Sequence, residues 1–446
     1  MEQRISTLVN WATQHGAILH PSVEVYQDPC TGLSFRVKPS ATPVGAYETI
    51  VSLPTNLTLS YVNALHDQGP KPIHKDVLTS VPPHVLGRLF LIKEYLQGEE
   101  SFWYPYIQAL AQPKDREEWA LAPFWPTDEA ELLEGTNVEV GLEKIRADVK
   151  RELRELERVL DRCGDELGTK VTPALYHWAY CVFSSRSFRP SLVLSEEQRG
   201  KLPDGVGVDD FSVLLPLFDI GNHDMTTPIR WELNGDANAC ELKVGKVHQP
   251  GEQVFNNYSM KTNAELLLGY GFMIPPTPQL HNDYTHVRKR TNNPTASEEY
   301  LISLRPLSDP SSVLGRSKLD ENLVAQANNT IPAFKHVPPD MVWDIFCTLA
   351  NLDLRDQLMP GVKEEQRQEA FLAGKVDGEG RMYLEQTVAI IQHKMLQELE
   401  RLDETDVEVV DGEVEGNQKL ALDYRERCRA VLEGVLMSIE DTHDAE

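Results

Sequence analysis

Cysteine is scarce and scattered in this chain of 446 residues. The six thiols (Cys30, Cys163, Cys181, Cys240, Cys347, Cys428) form no Cys-x-x-Cys pair, which argues against a zinc module and a disulfide framework and suits a reducing compartment. Basic residues are also few. Against 69 Asp and Glu stand 43 Lys and Arg, for a net charge of −26 and a pI near 4.9. That field repels phosphate backbones and favours basic partners, so no nucleic acid partner is expected. The plainer reading of the same charge is that it keeps the protein soluble. No apolar run is long enough to cross a bilayer, and Met1-Glu2-Gln3-Arg4-Ile5-Ser6 lacks the features of a signal peptide. No membrane association is expected, and the expected location is the cytoplasm and/or nucleus. Several enzyme signatures are missing too: there is no Gly-x-Ser-x-Gly elbow, no Walker loop and no His-Glu-x-x-His. Gly205-Val206-Gly207 lacks the third glycine of a dinucleotide fingerprint and reads as a loop.

What is present is an ordinary globular composition, 41% hydrophobic and 25% charged, with length for two or three domains. Residues 4–15 place Ile5, Leu8, Val9 and Ala12 at helical spacing, ended by His15-Gly16. Between Val23 and Leu53 short apolar runs are broken by Asp28-Pro29, Thr31-Gly32, Lys38-Pro39 and Thr42-Pro43, the texture of strands and tight turns. From residue 60 to about 175 this gives way to helix. His84–Leu96 reads as helical and Phe102–Leu110 is aromatic-rich. Gly141–Arg162 carries Ile145, Val149, Leu153, Leu156 and Leu160 in steps of three and four, with a charged, solvated opposite face. Pro173 opens a further helix to about Phe183. Strands return at Phe211–Phe218, Trp231–Leu233, Cys240–Val244 and Gln253–Tyr258. After Pro275–Pro278 the pattern is helical through Trp343–Leu352, Glu364–Leu372, Met382–Leu402 and Lys419–Ile439, with an acidic loop over Asp403–Gln418.

Two phrases stand out. Leu214-Leu215-Pro216-Leu217-Phe218-Asp219-Ile220-Gly221-Asn222-His223-Asp224 and Gln253-Val254-Phe255-Asn256-Asn257-Tyr258 are apolar segments that stop at clusters of Asn, His, Asp and Tyr. Polar groups at strand ends beside glycines describe a ligand cleft. Asp219, His223 and Asp224 are also possible metal donors, although no further converging ligand accompanies them.

These residues resemble SET-domain methyltransferases. Pro216 to His223 is similar to their P-x-x-D-x-x-N-H motif. Tyr258-Ser259-Met260-Lys261-Thr262-Asn263-Ala264-Glu265-Leu266-Leu267 is similar to Y-G-x-x-x-N-x-E-L-L, with Gly269-Tyr270-Gly271-Phe272 as its tail. Ser185-Arg186-Ser187-Phe188 is similar to the S-R-x-F segment ahead of it. The layout resembles the Rubisco large-subunit methyltransferase class. That resemblance implies an α+β fold: a small split β-sheet SET domain interrupted by a helical insertion, then an all-α C-terminal domain. The implied divisions are 1–59 (N-terminal helix and first part of SET), 60–175 (insertion), 176–278 (catalytic part of SET) and 279–446 (helical, substrate-binding-like).

The resemblance implies transfer of a methyl group from S-adenosylmethionine to a lysine of a non-histone protein, with no metal. Tyr258 would be the catalytic phenol, Arg186 would pair with the cofactor carboxylate, and Asn222 and His223 would hold its amino-acid end and adenine. Asp219 would brace the turn, and Tyr270, Gly271 and Phe272 would shape the adenine pocket and channel wall. The turn Cys30-Thr31-Gly32 takes the place of the N-terminal cofactor loop. Phe188, with Tyr258 and Phe272, would line the substrate channel; an aromatic at 188 resembles the lysine-modifying members and suits an ammonium. Two departures stand in this chain: the N-terminal loop has one glycine instead of Gly-x-Gly, and Ser259 replaces the glycine after the tyrosine, where positive φ costs about 1 kcal/mol. A SET fold kept as a protein-binding module without catalysis is the alternative, and a metal-dependent hydrolase on Asp219, His223 and Asp224 is a third reading. The oligomeric state is left open.

Overall fold

The computed structural model describes residues 2–69, 71–288, 299–312, 329–376, 378–407, 414 and 416–444. The chain divides into two compact units. The first comprises Met1–Leu121 and Ile145–Ser259, the second Ala122–Lys144 and Met260–Glu446.

In the first unit, helix Glu2–Gln14 buries Leu8, Trp11 and Ala12 and stops at Gly16, whose φ is +96°. Strands β1 (Ile18–Leu19), β2 (Val23–Asp28), β3 (Gly32–Val37), β4 (Thr49–Pro54) and β5 (Leu59–Ser60) follow. β2 and β3 form an antiparallel hairpin in which Asp28 faces Gly32. Asp28 Oδ1 closes its turn by accepting from the backbone N–H groups of Cys30 and Thr31, both at 2.9 Å. Then come the helices. Pro83–Gln97 ends at Gly98, whose φ is +61°, and Tyr104–Ala109 is short. Glu139–Cys163 buries Val149, Leu153, Leu156 and Leu160 as the spacing predicts. Pro173–Arg186 starts with proline in its first turn behind a Thr172 cap, the expected device.

Strands β6 (Ser187–Phe188), β7 (Val213–Leu214), β8 (Ile229–Leu233), β9 (Ala239–Val244) and β10 (Gln253–Val254) complete three small sheets, ordered β1-β4-β9-β8, β10-β3-β2 and β5-β7-β6. Two strands are shorter than the sequence suggests. Over 211–218 only Val213–Leu214 pairs. Pro216 has no N–H to give a ladder, and Leu217 turns to φ +71° to enter the 3₁₀ turn Phe218–Ile220. Over 253–258 only Gln253–Val254 pairs with β3, because Asn256 leaves that ladder to bridge His223 in parallel.

The second unit begins its last segment with helix Asn263–Tyr270. Thr262 and Glu265 form a reciprocal capping box at its start, and Gly271 ends it at φ +78°. Asn263 is buried and ties three segments, accepting from Ile274 N (2.8 Å) and donating to Ile274 O (3.1 Å) and Asp283 Oδ1 (2.7 Å). The region beyond 279 is helical, with Pro339–Leu349, Leu352–Leu358, Glu364–Leu372, Glu379–Glu404 and Gly416–Asp444. It is not wholly α: strands β11 (Tyr284–Arg288) and β12 (Glu299–Ser303) form an antiparallel pair that corrects the all-α expectation. Their sequences, Tyr-Thr-His-Val-Arg and Glu-Tyr-Leu-Ile-Ser, are rich enough in β-formers to have signalled it. The two long helices also trim the acidic loop from both ends, and its residues 408–413 and 415 lie outside the described residues.

Candidate functional site

The first unit brings most of the predicted residues together through one crossing of two segments. Residues 222–224 run beside residue 256: Asn256 N donates to Asn222 O (2.7 Å), and Asp224 N donates to Asn256 O (2.9 Å). Gly221 is glycine because the crossing is tight; a Cβ there would lie 3.0 Å from Asn256 Cβ. The crossing carries His223 and Tyr258 into register. Their rings stack at 4.9 Å with an 11° interplanar angle, and Tyr258 N donates to His223 Nδ1 at 3.0 Å. That bond requires Nδ1 to be the unprotonated nitrogen. The Tyr258 phenol donates to Gly221 O at 3.0 Å.

Asn222 points back at the N-terminal hairpin, donating to Leu33 O (3.1 Å) and to the buried Ser34 hydroxyl (2.6 Å). Gln253 also donates to Ser34 Oγ, at 3.0 Å, so β3, residue 222 and β10 share one polar knot. The Cys30-Thr31-Gly32 turn lies at the end of the same hairpin. Of its three residues only Gly32 takes positive φ, at +75°, and no heavy atom stands within 4 Å of where its Cβ would be. Cys30 therefore carries no strain from replacing a glycine. Ser259 does: its φ is +82°, held by Ser259 N donating to Asn257 Oδ1 at 2.9 Å.

Arg186 and Asp219 meet in an ion pair at 3.5 Å, with the Asp219 side chain only 2% exposed and that of Arg186 34% exposed. Burial pushes the Asp219 carboxyl up, while Arg186 and the Tyr106 hydroxyl pull it back. Tyr106 donates to Asp219 Oδ2 at 2.9 Å. Its own phenol is held well above the usual range, by burial and then by the Asp219 charge. Phe188 stands edge-on to Phe218 and to Trp231, each at 5.5 Å, and Trp231 Nε1 donates to Asn256 Oδ1 at 3.0 Å.

Tyr270, Gly271 and Phe272 belong to the second unit, where Tyr270 and Phe272 meet edge-on at 6.4 Å. The three donors of the hydrolase reading turn to different partners: Asp219 to Arg186 and Tyr106, His223 to Tyr258, and Asp224 to Thr226 and Thr227. Among the described residues, the potential donors that do converge are His74, Asp76 and Cys163. Sequence reasoning missed Ser34, Tyr106, Trp231 and Asn256. Asn256 left one signal, a polar residue inside an apolar strand; Tyr106, 113 positions from Asp219, left none.

The arrangement of small split sheets, crossing and helical C-terminal region is the SET-domain fold in the form found in the Rubisco large-subunit methyltransferase. Solved structures of the SET domain of LSMT bound to lysine and AdoHcy (TM-score 0.63, 17% identity) and of Rubisco LSMT bound to AdoMet (0.62, 18%) each align with 98% or more of this chain and 92% of theirs. Among curated proteins, the chain is similar to ribosomal lysine N-methyltransferase set10 of Schizosaccharomyces pombe, 29% identical over 61% of this chain and 46% of that one. It is also similar to protein-lysine N-methyltransferase EFM1 of Saccharomyces cerevisiae (24%, over 61% and 50%) and to the chloroplastic Rubisco large subunit N-methyltransferase of Pisum sativum (28%, over 45% and 38%). The chain thus spans about half the length of the curated relatives it matches. No family model matches it. No helix among the described residues is long and apolar enough to cross a membrane.

Proposed function

We propose that this protein is an S-adenosylmethionine-dependent protein-lysine N-methyltransferase acting on a non-histone protein. The observation that carries the reading is the crossing of residues 221–224 with 256–258, which aligns the Tyr258 phenol, the His223 ring and the Asn222 turn on the first unit.

The residues present suit the cofactor. Arg186 engages Asp219 through Nη1 alone and stays partly open, leaving guanidinium N–H groups for a carboxylate. The unobstructed Gly32 lets a ligand come close to the backbone. When bound, the cofactor supplies an electrophilic methyl group on sulfonium. Arg186 would hold its carboxylate, with the Cys30-Thr31-Gly32 turn as its N-terminal loop, and Asn222 and His223 would hold its amino-acid end and adenine. Asp219 braces Arg186 from behind. Tyr258 has its proton committed to Gly221 O, so its oxygen is kept as an acceptor toward the methyl donor and the lysine amine. Catalysis is then positioning by pre-oriented dipoles. Phe188, backed by Phe218 and Trp231, offers the aromatic wall along which a lysine stem passes. A net charge of −26 favours a substrate with a basic surface.

The test is transfer of labelled methyl from S-adenosylmethionine to a protein of a matched extract, repeated with Tyr258→Phe. Lysine labelling that falls by roughly a hundredfold or more in the variant supports the reading, as expected for losing a pre-oriented polar group. Cofactor binding without any labelling would favour the non-catalytic binding module. Unchanged labelling in the variant would remove Tyr258 from its role.

A further inference from the structure

Tyr106 belongs to none of the motif segments, yet it ends at the site. It sits on helix Tyr104–Ala109, 1% exposed, and its phenol donates to Asp219 Oδ2 at 2.9 Å. The same oxygen lies 3.5 Å from Arg186 Nη1, which reaches the Asp219 carbonyl at 3.5 Å as well. One buried carboxylate oxygen therefore serves two donors. A guanidinium facing an uncontested carboxylate closes to about 2.7–2.9 Å, often with two nitrogens. Here the phenol holds the short contact and the guanidinium the long one. Burial and the Asp219 charge keep the phenol protonated, so it remains a donor to Asp219. The charged or titratable groups facing Asp219 are Tyr106 and Arg186; Tyr258 acts in turn on Arg186.

We propose that Tyr106 is a positioning residue for cofactor binding: by engaging Asp219 it holds that carboxylate off Arg186 and leaves the guanidinium's remaining N–H groups for the carboxylate of S-adenosylmethionine. This rests on the reading of Arg186 as the cofactor's carboxylate ligand. It gives the helical insertion a share in setting cofactor affinity, through a residue that touches neither cofactor nor substrate.

Tyr106→Phe keeps the ring and removes the donor. Asp219 then closes on Arg186, and the calorimetric Kd for S-adenosylmethionine rises about five- to tenfold, the range expected for the net contribution of one ordinary hydrogen bond. KM for the cofactor follows Kd, while kcat at saturating cofactor changes less than about twofold. In an Asp219→Asn background, adding Tyr106→Phe leaves Kd unchanged. An equal loss in both backgrounds would mean that Tyr106 only packs, and an unchanged Kd in the single variant would mean that it does nothing; either result overturns the proposal. Should Tyr106→Phe not fold, 3-fluorotyrosine at 106 strengthens the donor at almost the same size and must tighten cofactor binding; a flat response overturns the proposal as well. Wild-type protein that binds no S-adenosylmethionine would overturn the functional reading itself. Wild-type binding with flat variants overturns only the role of Tyr106.

Discussion

Ser259 and Cys30 each stand where the family's motif has glycine, and the structure separates them. Ser259 is held at φ +82°, in the region that costs an L-residue about 1 kcal/mol, and Asn257 secures it from both ends, accepting from Ser259 N and donating to Met225 O and Thr227 O. Ser259→Gly is expected to raise unfolding stability by about 1 kcal/mol in urea titration, and Ser259→Val to lower it by at least as much. A neutral glycine variant would show that the turn stores no strain. Cys30 takes no positive φ, so Cys30→Gly is expected to bring no gain. The thiols divide just as clearly. Burial pushes Cys181, Cys240 and Cys428 up to about 12, whereas Cys30 is exposed. With a thiol reagent at neutral pH, Cys30 is expected to react first and those three only after unfolding. Rapid labelling of any of the three in native protein would contradict their burial.

Among the elements, the crossing of 221–224 with 256 is what the site is built on, and its tightness is testable. Gly221→Ala places a methyl 3.0 Å from Asn256 Cβ and 3.5 Å from Asn256 N, with no flexible side-chain end to give way. A cost of about 1–3 kcal/mol is expected, together with a red-shifted Trp231 fluorescence as its Nε1 bond to Asn256 loosens. Wild-type stability in this variant would mean that the crossing is looser than described. The strands leading into the crossing were legible as apolar runs, but their ends were not. Pro216 and the turn at Leu217 cut one ladder short, and the departure of Asn256 cut the other. Both depend on where a distant segment passes.

For the whole molecule, buried histidines make folding sensitive to mild acid. His281, fully buried in the second unit, is pushed down to about 4, by burial first and then by Arg305. An unfolded histidine titrates near 6.5, so the unfolded chain takes up a proton that the folded chain refuses between about 6.5 and 4. The folded pKa is depressed; the stability this group contributes is intact above about 6.5 and is lost as pH falls toward 4. The full loss, reached near pH 4, is on the order of 3 kcal/mol. Burial depresses His336 and His248 in the same direction. Urea midpoints for unfolding of the second unit, followed by hydrogen exchange at β11 and β12, are expected to fall between pH 7 and 5, and His281→Gln to flatten that fall. A wild-type midpoint independent of pH over this range would refute the assignment.

Periodicity and turn chemistry were enough to read the long helices and the strands and tight turn of the β2–β3 hairpin, because each is closed within a few residues of chain, while the class of fold came from the resemblance of the motifs. The same motifs pointed to Arg186, Asn222, His223 and Tyr258 as site residues. Tertiary structure alone decided how those residues are held. Asn222 is tied to Ser34 across 188 positions, Asp219 is shared between Arg186 and a tyrosine 113 positions away, and Gly221 is required by the backbone that crosses it. Such contacts follow the path of the folded chain, and a residue placed by them carries no period, cap or spacing that its neighbours in sequence could reveal.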